Sequence, residues 1–150
     1  MEDYIRTNYP KYKIISSTTK CLKNQDLANQ ELENDNYFRV CIDYNLNHNV
    51  EFLNNLSETQ KEKVEILVNP ICGANCQNRE KHYKLNSLFS LTYGKKYKLD
   101  SCNIPGKITY PFSKEIRNEI LINDILTTYT NIGISHYKIE GRTFTTLLHL

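Results

Sequence analysis

The stretch VEILVNPICGANCQNREKHY, residues 64–83, decides the fold of this chain. It opens with residues 64–68, an apolar run rich in β-branched side chains that has the length and composition of a buried strand. Asn69 and Pro70 then end the strand, because proline has no amide hydrogen for a sheet ladder. A loop dense in cysteine and basic side chains follows. Since α/β proteins build sites from loops at the carboxyl ends of strands, this stretch predicts where the chemistry lies.

The composition indicates one globular domain over residues 1–150, with 39% hydrophobic and 24% charged residues. A net charge of +2 with no basic cluster argues against nucleic acid or an anionic membrane as a partner. No stretch has the length of a membrane span, and the first residues lack the apolar block of a secretory signal. The five cysteines, an odd number, are therefore expected as reduced thiols in the cytoplasm.

Short strand patterns alternate with helical patterns along the chain. Strands are predicted at residues 13–19, 37–43, 64–68, 119–122 and 134–140. Helices are predicted at residues 50–56, 79–97 and 143–150. Another helix should begin at Asn24 as N-cap, with Leu27 and Leu32 on one face. A last one should begin at Asn123 or Asp124 as N-cap and end at Gly133 in a left-handed conformation. Residues 1–12 are interpreted as a loose lead-in, residues 57–58 as a polar link and residues 100–111 as a loop.

This alternation predicts an α/β fold built from parallel βα units with right-handed crossovers. Five units could form a small doubly wound sheet or a partial TIM-barrel-like sheet with outer helices. We favour the partial barrel because each predicted strand ends in polar residues, which suits one catalytic rim. The last helical pattern also stops without a cap, as in a truncated barrel.

Several motifs, in this order, resemble the collagenase-like peptidases of family U thirty-two, especially their uncharacterised bacterial and phage-borne relatives. The motifs are SSTT at residues 16–19, DYNLN at 43–47, LVNPIC at 67–72, CQNR at 76–79, HY at 82–83 and GISHYKIEGR at 133–142. The Asn-x-x-Cys-x-x-x-Cys-x-x-Arg-x-x-His-Tyr run and the closing Lys-Ile-Glu-Gly-Arg carry most of the likeness. It covers roughly residues 13–145.

The resemblance implies a TIM-barrel-like domain and, as in some members of that family, an iron–sulfur cluster held by cysteines. A whole barrel of this kind has about 250 residues, so the chain is expected to lack about three units, with a second chain as a partner that completes the barrel. Two of the four cysteines of the cluster-binding members have equivalents here. The name peptidase gives weak support for proteolysis, because no protease triad or HExxH motif is present.

Cys72 and Cys76 are the first candidates for metal ligands. Three residues separate them on a loop entered through a proline, and thiolates suit an iron–sulfur cluster or zinc. The alternative is a pair of free thiols in a loop. Cys102, in the next loop, is the preferred third ligand, whereas Cys21 is a weaker candidate and Cys41 is interpreted as a small buried hydrophobe.

His82 and Arg79 are candidate catalytic residues on the helical pattern that follows the cysteines. His82 could act as an acid or base, or join a mixed Cys/His site that would favour zinc; a structural histidine is an equal alternative. Arg79 could anchor an anionic substrate through bidentate hydrogen bonds, or pair with Glu80 or Asp43.

Asp43 and Glu140 are the candidate catalytic carboxylates, because each ends a different predicted strand. A structural pair of Glu140 with Lys138 or Arg142 is an equal alternative. Lys138, Glu140 and Arg142 alternate along the last predicted strand, so they should share one face. In a barrel that face is the interior, where unpaired charge is unfavourable, and we expect a salt-bridged layer there.

The sequence leaves two classes of function open. The first is an enzyme or enzyme subunit with a metal centre at the strand rim, whose small-molecule or peptide substrate the sequence does not specify. The second is a non-catalytic partial barrel that binds another chain, because a partial barrel leaves open sheet edges. A zinc-binding nucleic-acid module is a poor third, since the cysteines lack finger spacing.

Overall fold

A computed structural model of the protein describes residues 1–70, 72–73, 75–92 and 118–140. In these ranges four strands form one sheet in the order β1-β2-β3-β4, and every neighbouring pair is parallel. The strands are β1 (Ile15–Ser16), β2 (Arg39–Cys41), β3 (Val64–Leu67) and β4 (Tyr137–Lys138). The predicted α/β class with a parallel sheet is therefore confirmed.

Helices precede β1 and occupy much of the described chain between the strands. They are α1 (Glu2–Asn8), α2 (Gln25–Glu33), α3 (Tyr44–Asn47), α4 (Val50–Asn54), α5 (Glu58–Lys63), α6 (Arg79–Leu91) and α7 (Ile122–Asp124), which runs on into a π-helical turn, Ile125–Tyr129. A 3-10 turn, Thr18–Lys20, follows β1. The predicted N-cap Asn24 is confirmed, since its side chain accepts a hydrogen bond from the Leu27 amide.

The sheet has two different faces because successive side chains of a strand point to opposite sides. Val40, Val64 and Ile66 point to the face that packs against the helices. The main core there comprises Ala28, Leu32, Tyr37, Val40, Ile42, Leu46, Phe52, Leu53, Leu56, Val64, Ile66, Val68, Ile120, Tyr129 and Ile134. The alternate residues Cys41 and Leu67 belong to a second, smaller cluster.

Besides the short helix α3, two more helices occur where the sequence pattern predicts none. Helix α1 lies inside the predicted lead-in, where Arg6 pairs with Glu2 at 3.2 Å and the Tyr37 hydroxyl donates to the same carboxylate at 2.6 Å. Helix α5 begins at the predicted polar link, because Ser57 and Gln60 form a capping box that satisfies its first amides. Both helices thus depend on polar side chains that hydrophobic periodicity does not detect.

The buried face of α2 differs from the predicted one. Leu27, predicted on the inner face, is 42% exposed, whereas Ala28 and Leu32 are buried. Residues four apart share a helix face, so the pair Ala28 and Leu32 defines the inner stripe. The prediction was right for Leu32 and displaced by one residue for Leu27.

The fourth predicted strand, residues 119–122, is wrong. Ile120 donates one backbone hydrogen bond to Val68 at 2.8 Å, but Ile122 already begins α7. The ladder position beside β3 is occupied by β4, where Tyr137 lies opposite Ile66. A short apolar run is compatible with a strand or a helix, and here β4 rather than residues 119–122 pairs with β3.

The predicted caps and terminator of the next helix have mixed outcomes. Helix α7 begins after Leu121 without a side-chain cap, so neither Asn123 nor Asp124 caps it. Gly133 has φ +89 after the π-helical turn, as predicted for a left-handed terminator. The predicted loop at 100–111, the helix at 143–150, Cys102 and Arg142 lie outside the described residues. In the ranges described, no helix is long and apolar enough to cross a membrane.

Replacing Ile66 by alanine tests the main core. Ile66 is 0% exposed in the centre of β3, so its truncation leaves a cavity and lowers the free energy of unfolding by about 2–5 kcal/mol. Ile122→Ala is the matched control, because Ile122 is 72% exposed and should change stability by less than about 0.5 kcal/mol. Denaturant unfolding of the full chain measures both. Equal effects of the two substitutions would contradict this core.

Candidate functional site

The carboxyl ends of the strands carry the polar residues of the site. Asp43 follows β2, Asn69 follows β3 and Glu140 follows β4. The side-chain Nδ2 of Asn69 donates to the backbone carbonyl of Glu140 at 3.1 Å, and its Oδ1 accepts from the backbone amide of Glu140 at 2.7 Å. This two-way bond holds the ends of β3 and β4 side by side and fixes the Glu140 backbone at the edge of the sheet.

Asp43 and Arg79 form a buried ion pair at the same edge. The Arg79 Nη1 donates to Asp43 Oδ1 at 2.7 Å, and both residues are 1% exposed. Arg79 also donates to Asn45 Oδ1 at 3.0 Å, and its guanidinium lies 4.3 Å from the centre of the Tyr44 ring. Of the two partners predicted for Arg79, the pair is made with Asp43, while Glu80 pairs with Lys84.

The electrostatics of this pair favour its charged form. Burial lowers the pKa of Arg79, but the Asp43 carboxylate and its hydrogen bond more than offset this, so the pKa is raised. Asp43 Oδ2 and Arg79 Nε are buried and have no hydrogen-bond partner among the residues described. Within the described ranges, Asp43 Oδ2 thus has room for one donor and Arg79 Nε for one acceptor.

The Cys72 thiol lies near both Cys76 and Arg79. Of these two neighbours, Arg79 lowers the pKa of the Cys72 thiol and Cys76 raises it. Both cysteines are free and half-buried. Burial raises the pKa of the Cys72 thiol to about 11, against the opposing hydrogen bond from Arg79. The Cys72 thiol is thus protonated at neutral pH when nothing else is bound.

The loop that carries these thiols is held by its backbone. Asn118 Nδ2 donates to the Cys72 carbonyl at 3.1 Å, and the Arg79 amide donates to the Cys76 carbonyl at 3.4 Å. Between them, Asn75 has φ +53 and donates its amide to Asn45 Oδ1 at 3.2 Å. Asparagine tolerates this left-handed backbone, which turns the loop back on itself.

A pair of tyrosines extends the site toward Glu140. The Tyr44 and Tyr83 hydroxyls are hydrogen-bonded to each other, and Tyr44 also donates to Glu140 Oε2 at 3.4 Å. Tyr83 packs against the second cluster, to which Cys41, Tyr44 and Leu67 belong. Burial raises the pKa of both tyrosines, that of Tyr83 to about 12. Both hydroxyls therefore stay protonated and can donate hydrogen bonds.

The other two described cysteines occupy different environments. Cys41 is 1% exposed in β2, and burial raises the pKa of its thiol to about 12. Cys21 follows the 3-10 turn in a left-handed conformation, and burial followed by the Asp43 charge raises the pKa of its thiol. Cys21 thus lies on the same edge of the sheet as Asp43, whereas the Cys41 side chain is buried within the sheet.

The ligands predicted for a metal are only partly brought together. No group of three or more His, Cys, Asp or Glu side chains in the described ranges is arranged to hold a metal ion. Cys72 and Cys76 supply two neighbouring sulfurs, while the predicted third ligand, Cys102, lies outside those ranges. His82 is half-buried in α6, where its amide donates to the Asn78 carbonyl at 2.9 Å. Cys72 and Cys76 are thus two soft donors in one loop, and the described ranges place no third His, Cys, Asp or Glu with them.

The layer of charges predicted on the last strand is partly visible. Lys138 approaches Glu65 at 3.8 Å, and Glu140 accepts from Tyr44. Arg142, the third residue of the predicted layer, lies outside the described residues. Lys138 and Glu140 are thus engaged with neighbours on the sheet edge, whichever of the predicted structural or functional roles they have.

Sequence reasoning missed the tyrosine pair and Asn45. Tyr44 and Asn45 directly follow Asp43, so their position after a strand end was a usable signal. Tyr83 follows His82 within a helical pattern, and nothing in its local sequence indicates a contact with a residue 39 positions earlier. Such a contact arises only when the loop after β3 folds back over β2.

Asp43→Asn tests the buried pair. The substitution leaves the Arg79 charge buried without a counter-charge, so the free energy of unfolding should fall by about 3–5 kcal/mol. Glu80→Gln is the control, since it removes one partner of the exposed Lys84–Glu80 pair and should produce no measurable change. The double variant Asp43→Leu/Arg79→Met should recover part of the loss, because no buried charge remains. Equal stability of Asp43→Asn and Glu80→Gln would refute the buried pair.

The raised pKa of Tyr83 predicts how stability depends on alkaline pH. The folded state holds the phenolic proton up to about pH 12, whereas an unfolded tyrosine loses it near pH 10. The Tyr83 proton therefore contributes fully to the free energy of unfolding below about pH 10, and this contribution is lost as pH rises toward 12. Denaturant unfolding across this interval should show a smaller loss for Tyr83→Phe than for the natural chain. Tyr4→Phe, at an exposed tyrosine, is the control and should lose as much stability as the natural chain. If Tyr83→Phe also lost as much stability as the natural chain, the proton of Tyr83 would not contribute to stability.

Comparison with known proteins does not assign the chain to a family or a function. No protein-family model, curated protein or solved structure matches the chain. The resemblance to the peptidases of family U thirty-two therefore stays a prediction, and the function is argued from the chemistry of the residues at the sheet edge.

Proposed function

We propose that this chain is a barrel-type enzyme or enzyme subunit, similar to the peptidases of family U thirty-two, whose edge loop binds a metal centre through Cys72 and Cys76. The observation that carries the proposal is that the Cys72 thiol is influenced both by the Cys76 thiol and by the Arg79 guanidinium. Thiolates are the ligands that iron–sulfur clusters and zinc prefer, and a cation beside them favours their deprotonated form. A reducing cytoplasm is the compartment that suits such thiols.

The order of the strands supports the barrel part of this proposal. Strands β1 to β4 are spatial neighbours in the same order as in the chain, and all are parallel. The main core unites one face of the sheet with residues of α2 and α4. A parallel sheet whose strands are neighbours in chain order is typical of a barrel, whereas a doubly wound sheet reverses its strand order.

The residues around the thiols have distinct roles in this proposal. When bound, the metal centre would supply Lewis-acid or electron-transfer chemistry. Cys72 and Cys76 would hold it, with Cys102 as the proposed third ligand. Arg79 offsets part of the effect of burial on the Cys72 thiol, and so assists the loss of its proton that metal binding requires. Asp43 is a positioning residue, because it fixes the Arg79 guanidinium.

The other side of the edge offers groups for a substrate. Glu140 presents a carboxylate, and the Tyr44–Tyr83 pair presents hydroxyls that remain protonated at neutral pH. Together they can accept hydrogen bonds from the donor groups of a polar small molecule or a peptide, because the two phenolic protons are already used between Tyr83, Tyr44 and Glu140. His82, on α6, is proposed as an acid or base that acts from the helix side of the same edge.

A second function is supported by the edges of the sheet. In the described part of the chain, β1 and β4 each have a strand neighbour on one side. An open edge presents amide and carbonyl groups that another strand can pair with. The alternative function is therefore a non-catalytic module that a second chain completes.

Metal analysis tests the main proposal. The full chain is purified without oxygen, and its iron, sulfide and zinc are measured before and after reconstitution. We expect one metal centre per chain in the natural protein and its loss in Cys72→Ser and Cys76→Ser. Cys41→Ser is the matched control, because that thiol is sealed in β2, and it should keep the metal.

Two outcomes would overturn the metal proposal. One is a natural chain that neither purifies with metal nor takes it up on reconstitution; the other is full metal content in both serine variants. A metal-free chain that nevertheless forms a stable complex with a second protein would favour the assembly module instead.

A further inference from the structure

A groove of about 470 Å³ lies at the amino ends of the strands, away from the candidate site. Ile14, Phe38 and Lys63 line it, and each of them directly precedes one of the strands β1, β2 and β3. The Phe38 amide donates to the Ile14 carbonyl at 2.8 Å, which ties the first two positions together. The groove has the size of a pocket for a small molecule. No residue of the candidate site lines it, so the groove is a separate feature of the fold.

Two ammonium groups of the groove are held in place without a carboxylate partner. Lys63 Nζ donates to the carbonyls of Leu32 and Asn34, both at 2.7 Å, which uses two of its three hydrogens. Lys13 Nζ lies 4.0 Å from the centre of the Phe38 ring, a cation–π contact that keeps it at the groove wall. Neither lysine forms an ion pair with any of the described residues. Each can therefore bind a phosphate group as a point charge.

The charge balance of the lining is positive. Its basic residues are Arg6, Lys13 and Lys63, and its acidic residue in the described ranges is Asp35. Arg6 is already paired with two carboxylates of its own helix, α1, at 3.2 and 3.1 Å. The two lysines outnumber the remaining carboxylate, so the groove attracts an anion rather than a cation.

Aromatic and polar groups complete the lining. Tyr12 is 70% exposed and Phe38 is 44% exposed, so their rings present apolar surface to a planar aromatic ligand. Asp35 and Asn36 lie exposed on the turn between α2 and β2 and line the same groove. Their side-chain oxygens can accept hydrogen bonds from hydroxyl groups. The groove thus combines cations, aromatic surface and acceptors for hydroxyls.

We propose that this groove binds a mononucleotide. Lys13 and Lys63 attract its phosphate, Tyr12 stacks on its base, and Asp35 accepts hydrogen bonds from its ribose hydroxyls. A nucleoside would leave the two ammonium groups unpaired, and inorganic phosphate would leave the aromatic surface exposed, so both parts of the ligand are needed for full affinity. The proposal goes beyond the metal centre and does not depend on it, because it uses no residue of the candidate site.

Isothermal titration calorimetry of the full chain tests the proposal. The ligands are AMP, GMP, CMP and UMP, with the matching nucleosides and inorganic phosphate as their separate parts. An oligothymidylate of about ten nucleotides represents single-stranded nucleic acid. We expect at least one mononucleotide to bind at least about tenfold more tightly than its nucleoside and than phosphate, because a charge-assisted hydrogen bond and a stacked base each contribute about this factor.

Two substitutions separate the parts of the site. The side chains of Lys13 and Tyr12 are exposed, so Lys13→Gln and Tyr12→Ala should leave the midpoint of thermal unfolding unchanged. Lys13→Gln should weaken mononucleotide binding at least about tenfold and leave nucleoside binding unchanged. Tyr12→Ala should weaken the binding of both at least about fivefold. Lys11→Gln is the matched control, because it removes the same charge from an exposed lysine outside the lining, and it should bind like the natural chain.

Three results would overturn the proposal. The first is a set of mononucleotides that bind no more tightly than inorganic phosphate. The second is an equal loss of mononucleotide affinity in Lys11→Gln and Lys13→Gln, which would mean that the groove is not the binding site. The third is tighter binding of the oligothymidylate than of any mononucleotide, which would assign this surface to single-stranded nucleic acid instead.

Discussion

The buried ion pair between Asp43 and Arg79 is the constraint on which the edge of the sheet depends. It joins the end of β2 to the start of α6 at 2.7 Å, with both side chains out of contact with water. Charges at this depth must be paired, so Arg79 can begin α6 only where Asp43 meets it. The Cys72 thiol of the segment between β3 and α6 thereby lies beside the guanidinium. Polar contacts, more than apolar packing, thus shape the candidate site.

Sequence predicted the class of the fold and the strands that carry the site, because buried β-branched runs and helix caps are local signals. Asn24 begins α2 as its side chain predicts, and the run at residues 64–68 contains β3. The error at residues 119–122 has a tertiary cause. That segment is as apolar as a strand, yet β4 occupies the place beside β3, and only the assembled sheet decides between them.

The candidate site was predicted in part for the same reason. Asp43, Arg79 and the cysteines stand just after strand ends, where position alone indicates a site. The pairing of Arg79 with Asp43 rather than Glu80, and the contact between Tyr44 and Tyr83, depend on how the loop after β3 folds back. These contacts join residues 36 and 39 positions apart, beyond the reach of any local pattern.

The central claim is that the Asp43–Arg79 pair positions the thiol loop, and the alkylation rates of individual cysteines in Asp43→Asn test it most directly. Loss of the carboxylate should release the loop, so Cys72 and Cys76 should be alkylated at least about tenfold faster than in the natural chain, equivalent to about 1.4 kcal/mol of local opening. Cys41, buried in β2, is reached only when the whole chain unfolds, so its rate follows the global loss of stability and should stay well below the rates at Cys72 and Cys76. Unchanged rates at Cys72 and Cys76, or a rate at Cys41 as high as theirs, would contradict the claim.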